Sequence, residues 1–334
     1  METRKMMRVT YWGTTGSIPT PLSPQEAKAK VVECLRLVLA QPKPSPLESA
    51  NNIQSLVERR TPFFTHSTFG GNTTCVEVET ADVLAILDAG TGARVLGLDM
   101  EKRQAADNGK GIVGHIFLSH MHFDHLTGLP FCQPLYNPAN HFTVWGHPDL
   151  LDIFQQFLKQ KAKWARAIFP PVLEKLQGIK EIKPISPGDK IKLGKTTVRA
   201  ISLNHLGGSQ GYRFDAQGKS FVFATDHEMI NGPDKKLARF AQDADLLYLD
   251  AQYSLSEYEG SISSQRPGKK GWGHSPMEWA LETALMARAK ELHLGHREPD
   301  RLDTDLAQIE KRLAGMGGTK VRVAIPWEGM EVKI

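Results

Sequence analysis

The sequence predicts an α/β protein folded as a four-layer αβ/βα sandwich. Three observations predict it: strand-like apolar runs occupy both halves of the chain, helical patterns separate them, and residues able to ligate a metal stand where an apolar run ends. The 334 residues suffice for one large domain with a substantial core. We read residues 1–334 as a single domain with a helical insertion over residues 22–60.

The chain opens on a strand, "RVTYW", closed by the turn-forming "GTTGSIP". A helix follows in "PQEAKAKVVECLRLVLAQ", whose apolar residues fall at 31, 32, 35, 38 and 39. The proline-rich "PKPSPLE" breaks it, and "SANNIQSLVERR" reads as a second helix. Strands resume with "TCVEVET", "VLAILDAG" and "GIVGHIFL", and "LTGLP" begins a short helical turn. In the second half "TTVRAISL", "GYRFD", "KSFVFAT" and "DLLYLD" are short, closely spaced strands. The helix "SPMEWALETALMARA" covers them, and "VRVAIPW" and "MEVKI" end the chain as strands. There is no repeat of fixed period and no low-complexity tail.

Composition narrows the function classes. No apolar run approaches the roughly 18 residues a membrane span requires, so no membrane partner is expected. The N-terminus has basic residues without an apolar stretch, which argues against a secretory signal. Three widely spaced cysteines, Cys34, Cys75 and Cys132, argue against a disulfide framework and for the reducing cytoplasm. A formal charge of +4, with no basic tract beyond "RPGKK" at 266–270, permits a small phosphate-bearing substrate but offers no platform for nucleic acid.

The most informative stretch is "LSHMHFDHLTGLP", residues 118–130, with His120, His122, Asp124 and His125 at i, i+2, i+4 and i+5. It lies at a strand-to-helix junction, where a rigid sheet edge can aim several side chains at one point. As a plain polar turn, His120 and His125 would bond the loop and His122 would face water; as a metal site, all four converge. Three further residues follow apolar runs and precede turns: His205 in "NHLGG", Asp226 in "ATDHE" and His296 in "LGHREP". Each alone reads equally as a hydrogen-bonded loop residue. Together, five histidines and two aspartates suit two first-row ions with mixed nitrogen and oxygen shells and one bridging carboxylate. Such a pair activates a hydroxide and stabilises a developing anion, as phosphoester hydrolysis requires.

"SHMHFDH" resembles the HxHxDH signature of the metallo-β-lactamase fold, and "GGNTTCVEV", "LDAGTG", "NHLGG", "ATDHE" and "GHREP" follow in that family's order. The resemblance spans nearly the whole chain outside residues 22–60. Through "YWGTTGSIPTP", "GGNTTC" and "GWGHS" it is nearest to the phosphodiesterase branch that includes tRNase Z and bacterial cyclic-nucleotide and phosphoribosyl cyclic phosphodiesterases. The resemblance implies that His120, His122 and His205 hold one metal and that Asp124, His125 and His296 hold a second, with Asp226 bridging. It also implies two divalent ions, zinc or manganese, and places Asp124 among the catalytic residues. His274 in "GWGHSPMEWA" matches a histidine placed near the scissile phosphate, where it can protonate the leaving oxygen. On its residues alone, His274 reads equally as a hydrogen-bonding group at the start of the following helix. Asn72 and Thr73 in "GGNTT" are candidate substrate contacts or turn residues, and Asp88 in "LDAGTG" either orients a ligand imidazole or caps its own turn.

The expected activity is hydrolysis of a small cyclic phosphodiester, most concretely a nucleoside 3′,5′-cyclic monophosphate, by hydroxide activated at the metals. The alternatives are a tRNA 3′-processing endoribonuclease, a phosphoribosyl cyclic phosphodiesterase, a lactone or thioester hydrolase, and a non-catalytic ligand sensor retaining the fold. The long arm that holds tRNA in RNA-processing members is not recognisable, and Arg297 stands where relatives often carry another histidine. A homodimer is expected from the resemblance and from the apolar "VVECLRLVLA" of the insertion.

Overall fold

The computed structural model describes residues 6–41, 53–159, 175–260 and 267–334. Two seven-stranded sheets form its centre. The first runs in the order β14-β1-β2-β3-β4-β5-β6, with β1 Arg8–Gly13, β2 Cys75–Glu79, β3 Leu84–Leu87, β4 Val113–Phe117, β5 His141–Gly146, β6 Ile179–Pro184 and β14 Glu331–Lys333. The second runs β13-β12-β11-β10-β9-β8-β7, with β7 Lys190–Leu193, β8 Thr196–Leu203, β9 Ser209–Ala216, β10 Lys219–Ala224, β11 Leu246–Asp250, β12 Glu291–Gly295 and β13 Arg322–Ala324. Both sheets are antiparallel on one side and parallel on the other: β3, β4, β5 and β6 pair in parallel in the first, and β10, β11, β12 and β13 in the second.

Alternation along the strands builds the four layers. Phe221, Phe223, Leu246 and Tyr248 face the first sheet's Val9, Val76, Val78 and Leu87 in a core between the sheets. The intervening Val222, Ala224, Leu247 and Leu249 turn the other way, onto helices α6 (Lys235–Phe240), α8 (Met277–Ala287) and α9 (Asp303–Gly317). On the first sheet's outer face Ile86, Ile116 and Val144 pack on α4 (Gly92–Ala106) and α5 (Pro148–Lys159). Parallel strands covered on both faces are buried throughout, as "LLYLD" and "ELHLG" are, and their polar members Asp250, Glu291 and His293 are buried with partners: Asp250 with His274, and Glu291 with His293.

Residues 22–60 hold α1 (Pro24–Leu39) and α2 (Ile53–Arg60), and α3 (Phe63–His66) follows them. Ser23 and Glu26 form a reciprocal capping box and Pro24 opens the first turn, so the sequence starts α1 unambiguously. The proline-rich break expected at 42–48 lies outside the described residues. No residue of α1 is buried, and Val31, Val32, Leu35 and Leu39 are exposed. The attachment is polar instead: Lys30 Nζ donates to the Phe64 and Ser67 carbonyls and pairs with Asp303 at 2.7 Å. A cavity of about 480 Å³ between α1 and the 297–306 segment is lined by Lys30, Phe64 and Arg297 but by none of the seven expected metal ligands. No helix among the described residues is long and apolar enough to cross a membrane.

Candidate metal centre

The seven expected ligands meet in one place, at the C-terminal ends of the strands of both sheets. Their ligand atoms form two groups, His120–His122–His205–Asp226 and Asp124–His125–Asp226–His296, each with its atoms within 4.8 Å of one another. Asp226 belongs to both groups. Its Oδ1 lies 3.6 Å from His120 Nε2 and 3.7 Å from His205 Nε2, and 3.2 Å from His296 Nε2, while Oδ2 is 3.2 Å from His125 Nε2.

The first sheet supplies its four ligands from the segment after β4. A 3₁₀ turn over Phe123–His125 follows His122 and turns the chain back. Asp88, just after β3, holds this segment: its carboxylate accepts from Ser119 N and Ser119 Oγ, both at 2.7 Å, and meets His125 Nδ1 at 2.7 Å. A carboxylate on Nδ1 leaves His125 Nε2 as the ligating nitrogen. Thr73, fully buried, donates from Oγ1 to the Asp124 carbonyl at 2.6 Å and so braces the turn. Asn72 binds Glu328 through its backbone and side-chain amides.

The second sheet supplies ligands one at a time. His205, after β8, has Nδ1 2.7 Å from the Gly273 carbonyl, which directs Nε2 inward. Asp226, after β10, accepts from Thr225 Oγ1 at 2.6 Å. His296 follows β12 directly, and its Nε2 is 3.2 Å from Asp124. Asp88, Asp226 and His296 all have left-handed backbone, with φ of 59°, 52° and 51°. Non-glycine residues pay for that conformation, and it persists where surrounding structure imposes it.

The donor set fits divalent metal. Buried Nε2 atoms of His120 and His125 have no hydrogen-bond partner, and His205 Nε2 faces His122 Nδ1 at 3.0 Å. Burial pushes His120, His122 and His205 below the ordinary imidazole value, leaving neutral ligands. Burial is the largest single influence and opposes charge on His125 and His296, but the surrounding carboxylates together outweigh it, Asp226 and Asp124 with Asp88 for His125 and with Asp250 for His296, holding His125 well above its usual value and His296 at about 9. Although burial alone would raise Asp124 and Asp226, His125 foremost keeps both below the usual carboxylate range. Both carboxylates are thus ionised at neutral pH. His122 is the exposed member of the set and marks the solvent side.

His274 stands beside the cluster, its ring stacked on His296 at 4.6 Å between centroids. Its Nδ1 is 2.7 Å from Asp250 Oδ2. The following helix α8 takes Pro276 as N-cap and receives no side-chain cap, so His274 does not cap it. Asp250, buried at the end of β11, also accepts from Ser275 N at 3.0 Å and Gln252 N at 3.3 Å. Our sequence reading missed Asp250, although its place at the end of "DLLYLD" is the signal that marked the other ligands. Arg297 points away from the ligands: its Nη2 donates to Thr15 Oγ1 and the Gly70 carbonyl, both at 2.7 Å, tying two loops together.

Residues 85–297 match the model of the beta-lactamase superfamily domain. Among solved structures, the chain is similar to the metallo-beta-lactamase fold protein YhfI from Bacillus subtilis, with a TM-score of 0.60 at 16% identity over 99% of this chain and 100% of that one. A diphosphatase from the PhnP family aligns with a TM-score of 0.59 at 14% identity, over 98% and 97% of the two chains. The short form of human tRNase Z gives 0.54 at 15% identity, over 97% and 98%. No curated protein matches the chain in sequence.

Proposed function

The chain belongs to the beta-lactamase superfamily, and from that premise we propose that it is a dinuclear metal-dependent phosphodiesterase of small cyclic phosphodiesters, with a nucleoside 3′,5′-cyclic monophosphate as its substrate. One observation carries the reading: the two four-residue sets of expected ligands share Asp226, and a third group, Asp226–Asp250–His274–His296, adjoins them with His274 bound to Asp250. A lone structural ion needs one closed shell; two adjoining groups with a solvent side suit a reacting phosphate. The diphosphatase and tRNase Z of the same fold lend support to phosphoester chemistry.

His120, His122 and His205 would hold one ion, Asp124, His125 and His296 the other, and Asp226 would bridge them. When bound, zinc or manganese would supply Lewis acidity to the phosphoryl oxygens and a lowered pKa to water. The chain's own contribution is orientation and proton transfer. Asp88 and the Gly273 carbonyl fix which nitrogens of His125 and His205 face the centre. Asp250 engages His274 Nδ1 and so orients the ring, leaving Nε2 as the nitrogen that would serve the leaving sugar oxygen. The free thiols of Cys34, Cys75 and Cys132 support a cytoplasmic setting.

The test is turnover by metal-defined protein of 3′,5′- and 2′,3′-cyclic nucleotides, a phosphoribosyl cyclic phosphate, cyclic dinucleotides and precursor tRNA. Fastest hydrolysis of a 3′,5′-cyclic mononucleotide is expected. Preference for precursor tRNA would replace this reading with the endoribonuclease one, and full metal loading without any phosphodiester turnover would reject both.

A further inference from the structure

The turn that leads into His274 carries a tryptophan with no evident structural reason to be exposed. Lys269 N donates to the Glu257 and Tyr258 carbonyls, and Trp272 N returns to the Lys269 carbonyl at 3.1 Å. Glu228, 6% exposed, clamps the turn: it accepts from Gly271 N at 2.6 Å and Gly273 N at 3.1 Å, and from Tyr258 Oη at 2.7 Å. Gly271 and Gly273 have φ of 86° and 90°, and a Cβ on Gly273 would lie 2.5 Å from the His205 ring. The backbone is therefore fixed by a buried carboxylate and two left-handed glycines, yet the Trp272 side chain is 56% exposed. The indole therefore does not serve core packing and is open to a ligand.

Its surroundings indicate what binds. Trp272 lies two residues from His274, so their Cα atoms are at most about 7 Å apart. Lys269 Nζ sits 3.8 Å from the Trp272 ring centroid, a cation–π contact that steadies the indole and adds positive charge beside it. Phe123 and Leu206, each adjoining an expected metal ligand, are 54% and 61% exposed. Ile230 is 54% exposed, and the next residue, Asn231, accepts from Lys270. Phe123 and Leu206 thus flank expected ligands in the chain, and Lys269 and Lys270 lie on the turn that carries Trp272. A substrate of sugar and phosphate alone would have nothing to bury against the exposed indole, whereas a nucleobase would.

We propose that Trp272, held out by the Glu228-clamped turn, is the stacking platform for the aromatic base of a mononucleotide substrate. This rests on the phosphodiesterase reading and deepens it by assigning the recognition of the non-reacting end. Loss of one base–aromatic stack corresponds to roughly 5- to 150-fold in affinity.

The test compares adenosine 3′,5′-cyclic monophosphate with methyl riboside 3′,5′-cyclic phosphate, which keeps the cyclic diester and replaces the base by methyl. Trp272→Ala is expected to lower kcat/KM for the adenosine compound at least about tenfold more than for the methyl riboside, mainly through KM, while Trp272→Phe retains most of the preference. Equal losses on both compounds would overturn the proposal. Binding is read separately by titrating metal-loaded protein with adenosine 5′-monophosphate and following tryptophan fluorescence. Quenching that disappears in Trp272→Phe supports stacking even if neither cyclic compound turns over, an outcome that would reject only the phosphodiesterase reading. Absence of Trp272-dependent quenching together with unaltered substrate preference would reject stacking whatever the reaction.

Discussion

The two sheets contribute to one candidate metal centre by opposite means. The first delivers His120, His122, Asp124 and His125 from a single segment, backed by one carboxylate, Asp88, that binds Ser119 and His125 together. The second delivers His205, Asp226 and His296 from the ends of three strands, each with its own separate support. Left-handed backbone falls differently too. In the first half it belongs to the supporting Asp88, and in the second to the ligands Asp226 and His296 themselves. His205, two residues past its strand as Asp226 is, does not adopt that conformation, so it belongs to two of the three second-sheet residues only. In the first sheet the 3₁₀ turn over Phe123–His125 absorbs the change of direction.

The sharpest test of that contrast is Asp226→Asn. Removing the carboxylate common to both groups takes away the negative charge answering two ions, and bound metal is expected to fall toward zero by elemental analysis. An undiminished metal content would break the shared-ligand assignment.

The next largest effect is expected at His274, which lies on the second-sheet side and groups with Asp226, Asp250 and His296 but belongs to neither expected ligand set. His274→Ala should keep its metal and melting temperature while kcat on a cyclic nucleotide drops about 10²- to 10⁴-fold. An activated aryl phosphodiester, whose leaving group needs little protonation, should lose less. Unchanged turnover of the cyclic nucleotide by the fully metallated variant would remove His274 from the reaction.

Asp88→Asn should cost less than Asp226→Asn, because it acts through His125 and Ser119. About 10- to 100-fold weaker metal binding is expected, measured by competition with a chelator. If the two variants lose metal equally, the distinction between a supporting carboxylate and a shared ligand fails.

The smallest effect on catalysis is expected in the insertion. We propose that the exposed Val31, Val32 and Leu35 row of α1 joins two copies of the chain. Leu35→Ser should then lower the mass seen by light scattering while per-site turnover stays near the parent. A parent that is monomeric at every concentration would refute the dimer.

Much of this architecture was legible in the chain. Strand-like apolar runs between turn-forming residues marked β1, β2, β3 and β8, and the Ser23–Glu26 box with Pro24 fits the observed start of α1. The 120–125 cluster was legible because its ligands are neighbours in sequence. His205, Asp226 and His296 were legible as residues at strand ends, and their division between two ions came from family resemblance. The same strand-end signal was present at Asp250 and passed over, since a single aspartate after an apolar run is also an ordinary turn residue. The apolar positions of α1 were legible as a contact row, while its attachment through Lys30 and the exposure of Val31, Val32 and Leu35 came from the structure.

By itself the sequence determined the local states: which segments are strands, where helices begin, and which residue types wait at strand ends. These follow from periodicity, capping and backbone permissiveness, which act over a few residues. Only the tertiary structure decided that Asp226 is common to both groups, that Asp250 rather than a helix end holds His274, and that Arg297 ties loops instead of facing the metals. These contacts join residues 24 to 282 positions apart. At that separation nothing in local propensity fixes a distance; the pairing of fourteen strands into two facing sheets does.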